Sequence, residues 1–241
     1  MLPLHDDNPT RIRPYVTWGL IAINAAVFVW QVLAGFLSEP EPILLTYGEI
    51  PIFISEGERL YTVFTSMFLH GDPLHIFSNM LFLWVFGDNV EDRFGHGRYL
   101  ILYLLFGVVA GLVHTTYSLW TLGSRTISEC VFFGLDACVP AIGASGAVSG
   151  ILGAYLVFYP RARVVTLVLF FFIRLIMIPA VALLGFWFLW QVLQGLVGIG
   201  GNVAVWAHVG GFVAGFVVAK VAGSAAPTVR RPDAFNEDFY Y

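Results

Sequence analysis

Six separated apolar runs constrain this chain more than any other feature: residues 15–37, 74–86, 99–117, 145–159, 180–199 and 203–222. In lipid, a backbone must satisfy its own N–H and C=O groups, so each run reads as a helix rather than an isolated strand. The composition agrees: 58% of the 241 residues are hydrophobic and 12% charged, where a soluble domain carries about a quarter charged residues. The runs at 74–86 and 145–159 are short of the roughly 20 residues a full span needs. Helices that short begin below the membrane surface under protein cover, where a water-filled pocket can sit. The expected fold class is an all-α polytopic bundle of six transmembrane helices.

A seventh apolar stretch, 164–178, holds Arg174 and is followed by Pro179. It reads as re-entrant, interfacial or the start of a longer fifth helix. Basic residues favour the six-span count. The first 14 residues are polar, and the run after them is longer than the apolar part of a secretory leader, so no cleavable leader is expected and the N-terminus is placed in the cytosol. Six spans then put Arg11, Arg13, Arg93, Arg98, Arg161, Arg163, Lys220, Arg230 and Arg231 inside, nine of the twelve basic residues. Only Arg59 and Arg125 fall outside, an asymmetry that fits the positive-inside rule. If 164–178 spanned, the last three would face out. The chain thus divides into a cytosolic segment 1–14, one membrane domain over 15–222, and a cytosolic tail 223–241 expected to be disordered. A bacterial cell membrane is the expected location. No run of Lys and Arg suggests nucleic acid. The 38–69 loop, acidic and carrying Pro40, Pro42 and Pro51, is long for a connector and is expected to carry structure or function. Cys130 and Cys138 share an outer loop, as a disulfide or as two free thiols.

Polar side chains inside spans are costly and default to function. Ser145, within Gly143-Ala144-Ser145-Gly146, starts the fourth helix, where free N–H groups and the positive end of the helix dipole gather. An ordinary N-cap with small packing residues has the same pattern. His208 shares a helical face with Gly211 and Gly215, and the fourth helix has its own stripe of Gly146, Ser149, Gly150 and Gly153. Packing the two stripes brings His208, a base of near-neutral pKa, toward Ser145. His75 and Asn79 lie four apart on the second helix, both able to donate hydrogen bonds to one point. Interhelical hydrogen bonds, or a metal site from His70, His75 and His208, are the alternatives. The His-Glu-x-x-His pattern of zinc proteases is absent, and no pair of Asp residues lies in the spans as drawn.

Taken in order, His75-x-x-x-Asn79, Gly143-x-Ser145-Gly146 and Ala207-His208-x-x-Gly211 resemble the three motifs of the rhomboid family of intramembrane serine proteases. The resemblance covers the six-span core. It implies Ser145 as nucleophile and His208 as general base, a dyad without Asp. It implies an oxyanion hole from His75, Asn79 and the Ser145 N–H, and a site opening toward the outer face. It implies single-span membrane proteins as substrates, cut where a helix unwinds, with no metal or cofactor. His70 resembles a family histidine before the second helix, and Glu91 and Arg93 a polar motif at that helix's inner end; structural roles are expected for all three.

Two departures bear on the site. Where the family's first loop often carries Trp-Arg, this chain reads Glu58-Arg59. Four residues after the nucleophile, where an aromatic ring often stacks on the base, stands Ser149. A hydrogen bond from Ser149 or packing from elsewhere must then orient His208, and Ser149 is itself an alternative nucleophile. Phe186, Trp187, Phe188 and Trp190 on the fifth helix read as a lateral gate or as a lipid-facing belt. Two other functions compete with proteolysis. A non-catalytic relative that retains membrane partners would typically lack Ser145 or His208. A small-solute channel would show repeated broken spans, and none is evident.

Overall fold

The computed structural model of the chain describes residues 1–169, 173–199 and 203–225. The expected tail lies, from residue 226 on, outside the described residues. The elements run β1 (Leu2–Asp6), α1 (Tyr15–Leu33), the short loop helices α2 (Glu41–Tyr47), α3 (Pro51–Ser55) and α4 (Thr62–Thr65), then α5 (Pro73–Phe94), α6 (His96–Leu122), α7 (Ile127–Phe133), α8 (Ser145–Phe158), β2 (Arg163–Leu169), β3 (Ile173–Pro179), α9 (Ala180–Val197) and α10 (Val205–Ala225).

Among the described residues, four helices, α1, α6, α9 and α10, are long and apolar enough to cross a membrane. The other two predicted spans part ways. The second was expected to end at residue 86, but α5 has 22 residues and runs on through Asp88, Asn89, Glu91 and Asp92. Asn89, Glu91 and Asp92 find partners outside the helix, so polarity does not end it. The fourth stays short: α8 has 14 residues, about 21 Å against a hydrocarbon core of about 30 Å. It is buried along most of its length and forms the centre of the bundle.

Glycine lets α10 lie directly on α8. A β-carbon at Gly211 would overlap the Gly146 carbonyl, one at Gly215 the Gly150 carbonyl, and one at Gly153 the Phe212 carbonyl. Helices in lipid gain little from burying apolar surface, so such close backbone approach supplies the association. The small-residue stripes read from the sequence do meet.

The all-α expectation needs correcting. The stretch left open at 164–178 is neither re-entrant helix nor part of α9. Its described residues form two strands, with β2 antiparallel to β3 and β1 antiparallel to the other edge of β2 in the order β1-β2-β3. Val164, Val165, Thr166, Val168, Ile173, Ile176 and Ile178 are β-branched and fit a pleated surface better than a helix. The N-terminal residues supply the third strand. Asp6 accepts a hydrogen bond from Asn89 of α5 at 3.2 Å and another from the Tyr155 hydroxyl of α8. Burial pushes the Asp6 carboxyl above its usual range.

At the same end, Glu91 of α5 caps α1. Its carboxylate accepts from the Val16 N–H at 3.0 Å, the Thr17 N–H at 2.8 Å and the Thr17 hydroxyl at 2.7 Å, with no exposure to solvent. These are first-turn groups of α1 with no partner in their own helix. Glu91→Ala is expected to cost about 2 kcal/mol by stranding those donors, read as a lower unfolding midpoint in detergent. An unchanged midpoint would mean that water replaces the carboxylate.

At the opposite end, the long first loop is fastened by Gln31, whose amide donates to the His70 carbonyl at 3.1 Å and accepts from the His70 N–H at 3.0 Å. Arg59 donates to the Leu45 carbonyl and lies over the Phe53 ring at 4.7 Å, so a loop hydrogen bond and an aromatic contact remain without a tryptophan at position 58. Cys130 and Cys138 form a disulfide, with Cα atoms 5.9 Å apart, in the loop between α6 and α8.

Candidate active site

Asp72 starts α5 by accepting from the Leu74 N–H at 2.8 Å and the His75 N–H at 2.9 Å, with Pro73 in the first turn. This fixes His75 and, one turn on, Asn79. Ser145 opens α8 at the same depth. The preceding residues are pinned to the first loop. Glu49 and Ala141 exchange backbone hydrogen bonds of 3.0 and 2.8 Å, and the Gly143 N–H donates to the Ser66 carbonyl at 2.9 Å.

His208, on α10, has its Nε2 2.7 Å from Ser145 Oγ. The hydroxyl donates if Nε2 is unprotonated. The other ring nitrogen, Nδ1, lies 3.0 Å from Oε1 of Gln191 on α9. Trp187, one turn before Gln191, presents its ring to the imidazole with centroids 5.9 Å apart. Ser149 does neither job: its hydroxyl donates to the Ser145 carbonyl at 2.6 Å, within the helix. The packing that orients His208 therefore comes from α9, which the sequence reading left open.

His75 Nδ1 accepts from the Gly71 N–H at 3.3 Å, which leaves the proton of the neutral ring on Nε2. That nitrogen faces Gly143 and Ser145: a β-carbon at Gly143 would lie 2.8 Å from His75 Nε2 and 3.6 Å from Ser145 Oγ. The Asn79 amide donates to the His75 carbonyl at 3.1 Å and has a second N–H. His75, Asn79, Ser145, Trp187 and His208 line one cavity of about 530 Å³. Gly143 has φ +123°, where a side chain is strained, and has no room for one beside His75. Gly143→Ala is expected to displace His75 and lower activity about tenfold or more with the bundle still folded; wild-type rates would mean that His75 can shift freely.

The remaining sequence candidates sort as follows. His70 is buried beside His75, ring centroids 5.1 Å apart, and burial holds its pKa down at about 4, so the ring is neutral. Among the described residues, no three His, Cys, Asp or Glu side chains are grouped to hold a metal. Arg93 lies over the Phe158 ring at 5.1 Å. The aromatic row on α9 splits. Phe186 and Trp190 face outward, Phe188 stacks on Phe212 at 4.5 Å, and Trp187 turns into the cavity. Gln191 escaped the sequence reading. Its signal was a polar amide inside an apolar run, one turn from a tryptophan.

A rhomboid domain profile matches residues 57–225. The chain is 34% identical over 200 residues to RHOMBOID-like protein 12, mitochondrial, of Arabidopsis thaliana, covering 81% of this chain and 55% of that one. It is 26% identical over 215 residues to Rhomboid protease GluP of Bacillus subtilis, covering 88% and 35%. It is 31% identical over 102 residues to Rhomboid protease GlpG of Klebsiella pneumoniae, covering 42% and 35%. The chain therefore belongs to the rhomboid family, a family of multi-pass membrane proteins. The matches span about half the length of the first of these relatives and about a third of the other two.

Proposed function

We propose that this chain is a serine-type intramembrane endopeptidase that cuts single-span membrane proteins through Ser145 and His208. The observation that carries the proposal is the 2.7 Å contact between Ser145 Oγ and His208 Nε2 on the wall of that cavity. Family membership supports it.

In this reading, His208 Nε2 takes the hydroxyl proton as Ser145 Oγ attacks the scissile carbonyl. The oxyanion is held by the Ser145 N–H, the His75 Nε2–H and the second N–H of Asn79. Collapse expels the amine, which leaves with the proton from His208, and water then hydrolyses the acyl-enzyme by the reverse sequence. The groups act from fixed helix positions, so little reorganisation is needed. The substrate backbone must reach Ser145 in extended form, so a transmembrane segment must unwind at the cut.

The topology proposed with it has six spans, α1, α5, α6, α8, α9 and α10, with both termini cytosolic and the cavity opening outward. The basic residues favour this sense. So does the Cys130–Cys138 bridge on the cavity end, since disulfides persist outside the cytosol.

The test is cleavage of a model transmembrane substrate by purified protein in detergent. Wild type and Ser149→Ala are expected to cut and Ser145→Ala to be inert. Cleavage by Ser145→Ala, or an inert, folded wild type across several substrates, would overturn the reading.

A further inference from the structure

We infer that Gln191 is a positioning residue for His208, accepting the Nδ1 proton so that Nε2 is left free to take the proton of Ser145. The inference rests on the Ser145–His208 reading above and adds a third member to it.

Three observations point to it. Gln191 is buried, and its Oε1 lies 3.0 Å from Nδ1 on the side of the ring away from Ser145. An amide oxygen only accepts, so this contact specifies the tautomer with hydrogen on Nδ1. The opposite tautomer would put hydrogen on Nε2, against the Ser145 hydroxyl, and His208 would have no lone pair for the proton. Second, among the described residues no other side chain hydrogen-bonds to Nδ1. Ser149 is engaged with its own helix at 2.6 Å, and no carboxylate hydrogen-bonds to the ring among the described contacts. Third, Trp187 and Gln191 are four apart on α9 and meet the same imidazole, one by its ring and one by its amide. Together they fix the plane of His208 and its protonation state from a single helix. A buried amide in lipid is costly unless its hydrogen-bonding is used.

The experiment compares Gln191→Met, which keeps length and removes the acceptor, with Gln191→Glu, which keeps the acceptor. Ser145→Ala serves as the blank. Cleavage is separated into kcat and KM, and the rate at which a fluorophosphonate labels Ser145 is measured alongside. Gln191→Met is expected to lower kcat and the labelling rate about 10- to 100-fold with KM nearly unchanged. Gln191→Glu is expected to retain most of both. A packing role gives the reverse order, since methionine suits an apolar helix better than a buried carboxyl. Wild-type rates in Gln191→Met, or the reversed order, would overturn the inference. If Gln191→Glu does not fold, the ¹⁵N spectrum of labelled wild type decides, with the His208 signal assigned by its loss in His208→Ala. Protonated Nδ1 and bare Nε2 support the inference; the opposite tautomer ends it. An inert Ser145→Ala with an unaffected Gln191→Met sinks only this inference, whereas an active Ser145→Ala sinks the dyad itself.

Discussion

Ser145→Ala and His208→Ala are each expected to slow single-turnover cleavage by about 10⁴-fold or more, and the double variant to be no slower than the slower single. The reason is geometric. With Ser145 Oγ and His208 Nε2 2.7 Å apart, the histidine has no proton to accept once the hydroxyl is gone. Without the histidine, the hydroxyl stays protonated and weak. The two side chains form one device, and removing either removes it whole. In the proposed mechanism, what survives in all three variants comes from the helix N-terminus, His75 and Asn79, the donors assigned to the oxyanion. If the two losses multiply in the double variant, the residues act independently and the dyad is wrong. If Ser145→Ala is inert but His208→Ala keeps appreciable activity, another base reaches Ser145.

The residues of the candidate site were legible because polarity is conspicuous in an apolar chain. Ser145, His208, His75 and Asn79 stand out as groups that lipid would not tolerate without use. The glycines at 146, 150, 211 and 215 told which helices must touch, and the touching glycines bring serine and histidine together. Gln191 was not legible in the same way. It is uncharged, it sits in a run of aromatic residues, and no spacing ties it to a residue 17 positions later on another helix. Only packing of α9 against α10 relates them.

Helix ends and the sheet failed for related reasons. A hydropathy pattern stops α5 at Phe86, because Asp88, Asn89 and Glu91 look like solvated loop. The Asn89 amide instead donates to Asp6 of β1 and the Glu91 carboxylate accepts from the first turn of α1, and such long-range satisfaction leaves no local trace. The stretch 164–178 was left open for the opposite reason. Its apolar character was plain, and only its density of β-branched residues argued for strands. In a chain that otherwise spans lipid, helix is the stronger prior, and the partner that makes a sheet possible is more than 150 residues away at the N-terminus.

Glu49→Gln is expected to stabilise the protein progressively as pH rises. Glu49 projects from the first loop onto α6. It accepts from the Thr115 hydroxyl at 2.8 Å, in space that exists because position 111 is glycine. Burial pushes its carboxyl from 4.5 up to about 7, the hydroxyl only partly offsetting it. A raised acid pKa favours the protonated form in the folded state. The stabilisation is complete below about pH 4.5 and is lost as pH rises through about 7. That displacement corresponds to about 3 kcal/mol. Wild type alone hides the effect. Burial lowers the His70 pKa from 6.5 to about 4, so its contribution is present above 6.5 and lost as pH falls through 4. Between about 4.5 and 6.5 the two slopes have opposite signs, so the wild-type curve does not isolate either one. The difference in unfolding midpoint, Glu49→Gln minus wild type, should therefore grow from pH 5 to pH 8 in the same detergent. A difference that stays constant over that range would mean that water reaches the carboxylate. Because Glu49 pairs its backbone with Ala141, two residues before Gly143, its ionisation also loosens the segment that leads into Ser145. Cleavage by wild type should then decline above pH 7 sooner than cleavage by Glu49→Gln.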